Sequence, residues 1–145
     1  MSSDIKLILT VNSVIDNLSD SGLPEGEPEI NIFTTDGYLT HGDNGYTVRF
    51  TEVQEGGEAH TNLYVTDGGV RLVKTGAINS EMVFSEGKDF NTLYRVGPYS
   101  FDMVVRTKRI RNSLSEDGGE LQLIYSMNVG GQEKNVRMKI SAKRK

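Results

Sequence analysis

Hydrophobic residues recur at every second position along most of this chain. Ile5, Leu7, Leu9 and Val11 alternate with smaller or polar neighbours, broken once by Ile8. Tyr46, Val48 and Phe50 repeat the pattern, followed by Leu63 and Val65 and by Tyr99, Phe101, Met103 and Val105. The cleanest run is Leu121, Leu123, Tyr125, Met127 and Val129, answered by Val136, Met138, Ile140 and Ala142. A period of two sends one set of side chains to an interior and the other to solvent, as in a half-buried strand. Much of this material is Val, Thr, Ile, Tyr and Phe, the residues strands favour. The pattern predicts ten strands, over 4–17, 29–40, 45–54, 58–66, 70–76, 80–86, 89–96, 98–111, 120–129 and 133–143. The best helical segment, "VIDNL" at 14–18, is too short to count.

Turn chemistry punctuates the runs. "GDNG" at 42–45 is a hairpin signal, because Asn and Gly accept the positive φ of tight primed turns. Gly-Gly pairs stand at 56–57, 68–69, 118–119 and 130–131, with further turns at 86–88 and 96–98. The one long loop by composition is 19–29, "SDSGLPEGEPE", expected to be flexible. Residues 143–145 read as a basic, solvated C-terminal end. An antiparallel meander of this length has edges to protect, and closure into a barrel removes them. The expected architecture is therefore a single all-β domain over 1–145, a barrel of eight to ten strands, with a two-layer β-sandwich as the alternative.

Composition narrows the class. Only 36% of the residues are hydrophobic, which suits strands that spend alternate residues on the interior. The absence of cysteine excludes disulfides and thiolate chemistry and fits a reducing compartment. No apolar run approaches a membrane span and no secretory leader is visible, so the expectation is a cytoplasmic protein. Charge is uneven: residues 1–73 carry a net of −9 and residues 74–145 a net of +5. Opposite signs on neighbouring strands can attract one another, and we favour that over a charged partner.

The segments "KTGAINSEMVFSEGK" (74–88) and "TKRIRNSLSEDGGELQLIYSMNV" (107–129) resemble the YwiB-like proteins, as does "DGYLTHGDNGYTVRFTE" (36–52). These are a small bacterial family of unknown function. The resemblance covers most of the chain from Ile30 onward and implies a calycin, or lipocalin-like, barrel. It departs at "YRVGPYSF" (94–101), where a Thr-Pro-Tyr-Gly type of turn is expected. The family brings no activity and no catalytic residues. Two lipid-binding signatures of other calycins are missing. The chain has no tryptophan, and Arg137-x-Lys139 stands where an Arg-x-Tyr would be needed.

No catalytic constellation is evident. The two histidines, His41 and His60, fall near a turn and in a polar strand, which argues for exposure and not for a metal site. No Gly-x-Ser-x-Gly elbow is present, and no helix follows the Gly-Gly pairs, so they are not phosphate cradles. No cofactor is implied. The basic run Arg106, Lys108, Arg109 and Arg111 contains no aromatic platform, so nucleic acid is disfavoured and a solvated strand end preferred. Alternation from Val105 would carry Thr107 and Arg109 inward, while Ile110 has the opposite parity, which predicts a bulge near 108–110. An unpaired guanidinium is costly to bury, so Arg109 is expected at the barrel mouth or beside an acid, with Arg49 or Lys74 as further anion contacts.

The reading with most support is a non-enzymatic barrel holding a small apolar or amphipathic ligand, walled by Phe101, Met103, Tyr125 and Met127 with Arg109 as polar contact. The rival is a filled barrel that uses its charged exterior to hold a protein or RNA partner. A hydrolase whose residues converge only in space is a third option.

Overall fold

A computed structural model describes residues 4–54 and 57–145; Gly56, the first glycine of the 56–57 pair, lies outside the described residues. Ten strands run in chain order: β1 (Ile5–Asn17), β2 (Glu29–His41), β3 (Gly45–Gln54), β4 (Gly57–Thr66), β5 (Gly69–Gly76), β6 (Ile78–Phe84), β7 (Asp89–Val96), β8 (Tyr99–Asn112), β9 (Gly118–Val129) and β10 (Gln132–Arg144). Each pairs antiparallel with its sequence neighbours. β10 closes the ring on β1 through eleven registered residues, Leu7↔Arg144 to Asn17↔Lys134. Closure rules out the sandwich. Among the described residues no helix is long and apolar enough to cross a membrane.

The lumen is filled at one end and open at the other. Leu7, Leu9, Leu39, Val48, Leu63, Val65, Val70, Leu121 and Ile140 are all buried at the end where β1 begins, and Leu114 of the β8–β9 turn plugs it. Leu72, Met82 and Tyr125 form the floor of the open half, and Phe84 packs beneath them, its ring 4.7 Å from that of Tyr125. Gly119 shows why the 118–119 pair is glycine. At φ +117° a Cβ there would come within 2.1 Å of the Ser113 carbonyl oxygen, so no side chain fits the turn.

Asp4 and the C-terminal residues are both held to the sheet. The Asp4 carboxylate accepts 2.6 Å hydrogen bonds from the Thr40 hydroxyl and from Arg49. Those bonds, the Thr40 one foremost, hold it below its ordinary 3.8. The C-terminal residues, expected as a solvated end, continue the sheet: β10 runs to Arg144, and Lys145 donates its amide to Lys6 and its ammonium to Asp36. Within the 19–29 segment the chain folds back tightly, with the Ser19 amide donating to the Leu23 carbonyl and that of Glu25 to the Asn17 carbonyl, before β2 begins at Glu29.

Candidate functional site: the open half of the barrel

The open half encloses a cavity of about 790 Å³ with two unlike walls. One wall is mainly apolar and comes from β1, β9 and β10: Val11, Ile15, Met127, Val129, Val136 and Met138, with Ser13 and Lys134 as its polar members. The other is built on β3, β5 and β7 and carries Glu52, Lys74 and Tyr94. Alternation puts these side chains inward, and the register brings them together. Phe50, Thr61, Lys74, Ser80 and Tyr94 form one cross-strand row, and Glu52 lies one row nearer the mouth. Between Glu52 and Lys74 the register interposes Ala59 and Gly76, whose small size lets the two long side chains meet.

They do meet: the Lys74 ammonium donates to the Glu52 carboxylate at 3.2 Å, with the two side chains 19% and 12% exposed. Tyr94 stands close by. Burial, and then the Glu52 charge, push its hydroxyl above its ordinary 10.0. The Thr61 and Ser80 hydroxyls on either side of Lys74 are buried without a hydrogen-bond partner, so this row holds unused polar capacity. Across the lumen, Lys134 reaches the mouth with no carboxylate in ion-pair range among the described residues. The arrangement offers a partly dry ion pair and a phenol, with two more hydroxyls buried behind them, opposite a flexible methionine wall. It suits holding the polar end of an elongated molecule while its apolar end packs on Met127 and Met138.

The pair is worth testing by itself. Replacing Lys74 by Met, which takes the ammonium from Glu52 in a partly desolvated wall, is expected to cost about 1–2 kcal/mol. Adding Glu52→Leu should recover most of that, because two apolar side chains are content where one charge is not. Urea unfolding of the two single variants and the double one measures the coupling; a value below about 0.3 kcal/mol would mean the wall is fully hydrated.

The residues singled out from the sequence divide. Met103, Tyr125 and Met127 lie on the cavity wall. Burial drives the Tyr125 phenol far above its ordinary value. Phe101 does not line the cavity. It shares the inward face with Met103 and pairs with Tyr94, but strand β8 begins beyond the rim, leaving Phe101 42% exposed. Arg109 is not at the mouth either. The register of β8 against β9 slips between Thr107 and Arg109, so Lys108 is the extra residue of a bulge. The bulge flips the faces as Ile110 predicted, and that same flip carries Arg109 outward, on the closed half of the barrel. Of the basic run, Arg106 pairs with Asp89 at 3.2 Å, and Glu86 accepts from the Ile110 amide. Arg49 is likewise external, paired with Asp4, whereas Lys74 is inside.

His41 contacts Glu116 and stacks on Tyr46, and His60 bonds the Thr51 hydroxyl at 3.1 Å; neither lines the cavity. No group of three or more His, Asp or Glu side chains placed to hold a metal ion occurs among the described residues.

Residues 20–140 match the family described as a domain of unknown function, DUF1934. The chain belongs to this family. It is 24% identical over 136 residues to the uncharacterized beta-barrel protein YwiB of Bacillus subtilis (strain 168), spanning 94% of this chain and 91% of that protein. The crystal structure of the ywiB protein superposes with a TM-score of 0.85 at 25% identity, covering 98% of this chain and 93% of the other. The relationship extends to the whole closed ten-strand barrel and assigns neither protein a ligand.

Proposed function

We propose that this DUF1934 protein is a non-enzymatic, cytoplasmic, lipocalin-like carrier that holds one small amphipathic molecule in the open half of its barrel. The observation behind this reading is the two-faced cavity, mainly apolar on β1, β9 and β10 below Lys134 at the mouth, and carrying Glu52, Lys74 and Tyr94 on β3, β5 and β7. Its volume lies in the range of small-molecule sites. Met103, Tyr125 and Met127 serve as wall, and Lys74 with Glu52 replaces Arg109 as the polar contact. Lys74 is engaged by Glu52 and not presented as a free amine, which supports binding over nucleophilic chemistry. A filled-core interaction module would have no use for such a lumen.

Native mass spectrometry of gently purified protein tests the reading. The expected result is an excess mass that vanishes on denaturation and survives a change of expression host. A bare mass, together with no uptake from a mixture of lipids and metabolites, would overturn it.

A further inference from the structure

Among the described residues, strand β2 is paired from Glu29 to Leu39 with β1 but over a much shorter length with β3. From Glu29 to Asp36 it follows β1 residue by residue, but its register with β3 runs only from Gly37 to His41. β3 continues past that point as Thr51–Gln54, paired with β4. The two strands therefore part at Gly37 and leave a wedge. Gly37 permits the last close approach: a Cβ there would fall 2.5 Å from Leu9 Cδ1 and 2.9 Å from the Arg49 carbonyl oxygen. Beyond it, consecutive residues of both strands, 31–35 and 50–53, line the cavity, so the strands present an edge to it as well as a face. The Thr35 hydroxyl donates weakly across the wedge to the Thr51 carbonyl at 3.4 Å, and the Phe33 and Phe50 rings meet at 6.2 Å.

Antiparallel pairing turns the N–H and C=O of every second residue away from β1. The free length of β2 thus offers the backbone of about four residues to a further strand. Proteins usually blunt such an edge with charge, proline or brevity. Here the stretch "INIFTT" (30–35) carries no charge, and Ile30, Ile32 and the facing Val53 are 61%, 61% and 87% exposed. The surroundings are acidic. Between Lys6 and Arg49 the chain has no Lys or Arg and seven Asp or Glu, of which Asp36 holds the Lys145 ammonium at 3.1 Å in an exposed ion pair. A second copy of this chain is a poor occupant: antiparallel self-pairing centred on Ile32 and Phe33 would set Glu29 opposite Asp36 at both ends.

We propose that the Glu29–Asp36 edge docks an extended segment of a partner protein as an added strand. The segment would be β-branched in its middle, with Lys or Arg at its ends. Main-chain hydrogen bonds would supply affinity and the flanking acids would set orientation and preference. This site borders the lumen through residues 31–35, but it is read by backbone pairing along the edge and does not rest on the carrier reading.

A fluorescein-labelled peptide, Lys-Thr-Val-Thr-Val-Thr-Val-Lys, titrated against the full chain by anisotropy, tests it. Saturable binding below about 1 mM is expected, with amide shifts concentrated in 29–36 and 51–54. Ile32→Lys, an exposed substitution that charges the edge, and Glu29→Lys should each weaken binding about tenfold or more. A peptide N-methylated at alternate residues should not bind. The proposal is overturned by an absence of saturation, by equal binding of the N-methylated peptide, or by shifts confined to Met127, Met138 and their neighbours. It is equally overturned if sedimentation shows dimers that the peptide disrupts, which would place a second copy on the edge.

Discussion

Replacing Phe84 by Ala should cost about 3–5 kcal/mol, the largest loss expected from any single truncation in this barrel. Phe84 is fully buried and stands tilted at 57° against Tyr125, a contact that adds to the value of its area. The sheet gives it little other support. β6 and β7 are in register over just Ile78–Ser80, so the end of β6 is held by β5 on one side and, just past Phe84, by the Ser85 and Gly87 amides donating to Thr107 on the other. The Ala variant would also leave a void beneath the cavity floor, because Phe84 packs under Tyr125. Urea unfolding should show a lower midpoint with an unchanged slope, marking a loss of stability and not of compactness. A loss under about 1 kcal/mol would mean that Tyr125 drops into the vacated space and the floor is plastic.

What could be read from the sequence follows from what alternation encodes. Period two located all ten strands because every strand has one face in the lumen, and Ile110 exposed the bulge by breaking parity. Alternation is silent about position along the barrel axis. Tyr99 and Phe101 obey the inward parity of Met103, yet they stand beyond the rim, 67% and 42% exposed. For the same reason nothing in the pattern said which half is filled; Leu7 and Ser13 occupy equivalent positions of one strand, at opposite ends of the lumen. The Lys74–Glu52 pair was hidden differently. Its partners are 22 residues apart on strands separated by β4, and only the register over Ala59 and Gly76 brings them together. The β2–β3 wedge left one faint trace, Gly37 in the middle of a strand, where a glycine signals close backbone approach.

Met127→Trp should leave the barrel folded and abolish occupancy of the lumen. Met127 faces inward between Val105 on β8 and Lys134 on β10, near the mouth and partly open to the cavity. Added bulk at this position goes into empty space, so the strain of an overpacked core is avoided and stability should stay within about 1 kcal/mol of the parent. A ligand denied contact with three or four methylenes' worth of wall loses about 0.8 kcal/mol for each, which amounts to roughly a hundredfold in affinity or more. Ile124→Trp, on the outward face of the same strand, is the control and should bind as the parent does. Native mass spectrometry of the three proteins after exposure to one lipid and metabolite mixture reads the difference. Uptake by Met127→Trp equal to that of the parent would move the ligand out of the lumen, leaving the polar row around Lys74 as a structural feature of the wall. The peptide that pairs with the β2 edge should bind the Trp variant unchanged, since that edge is built from backbone groups and β1 and β10 stand between it and Met127.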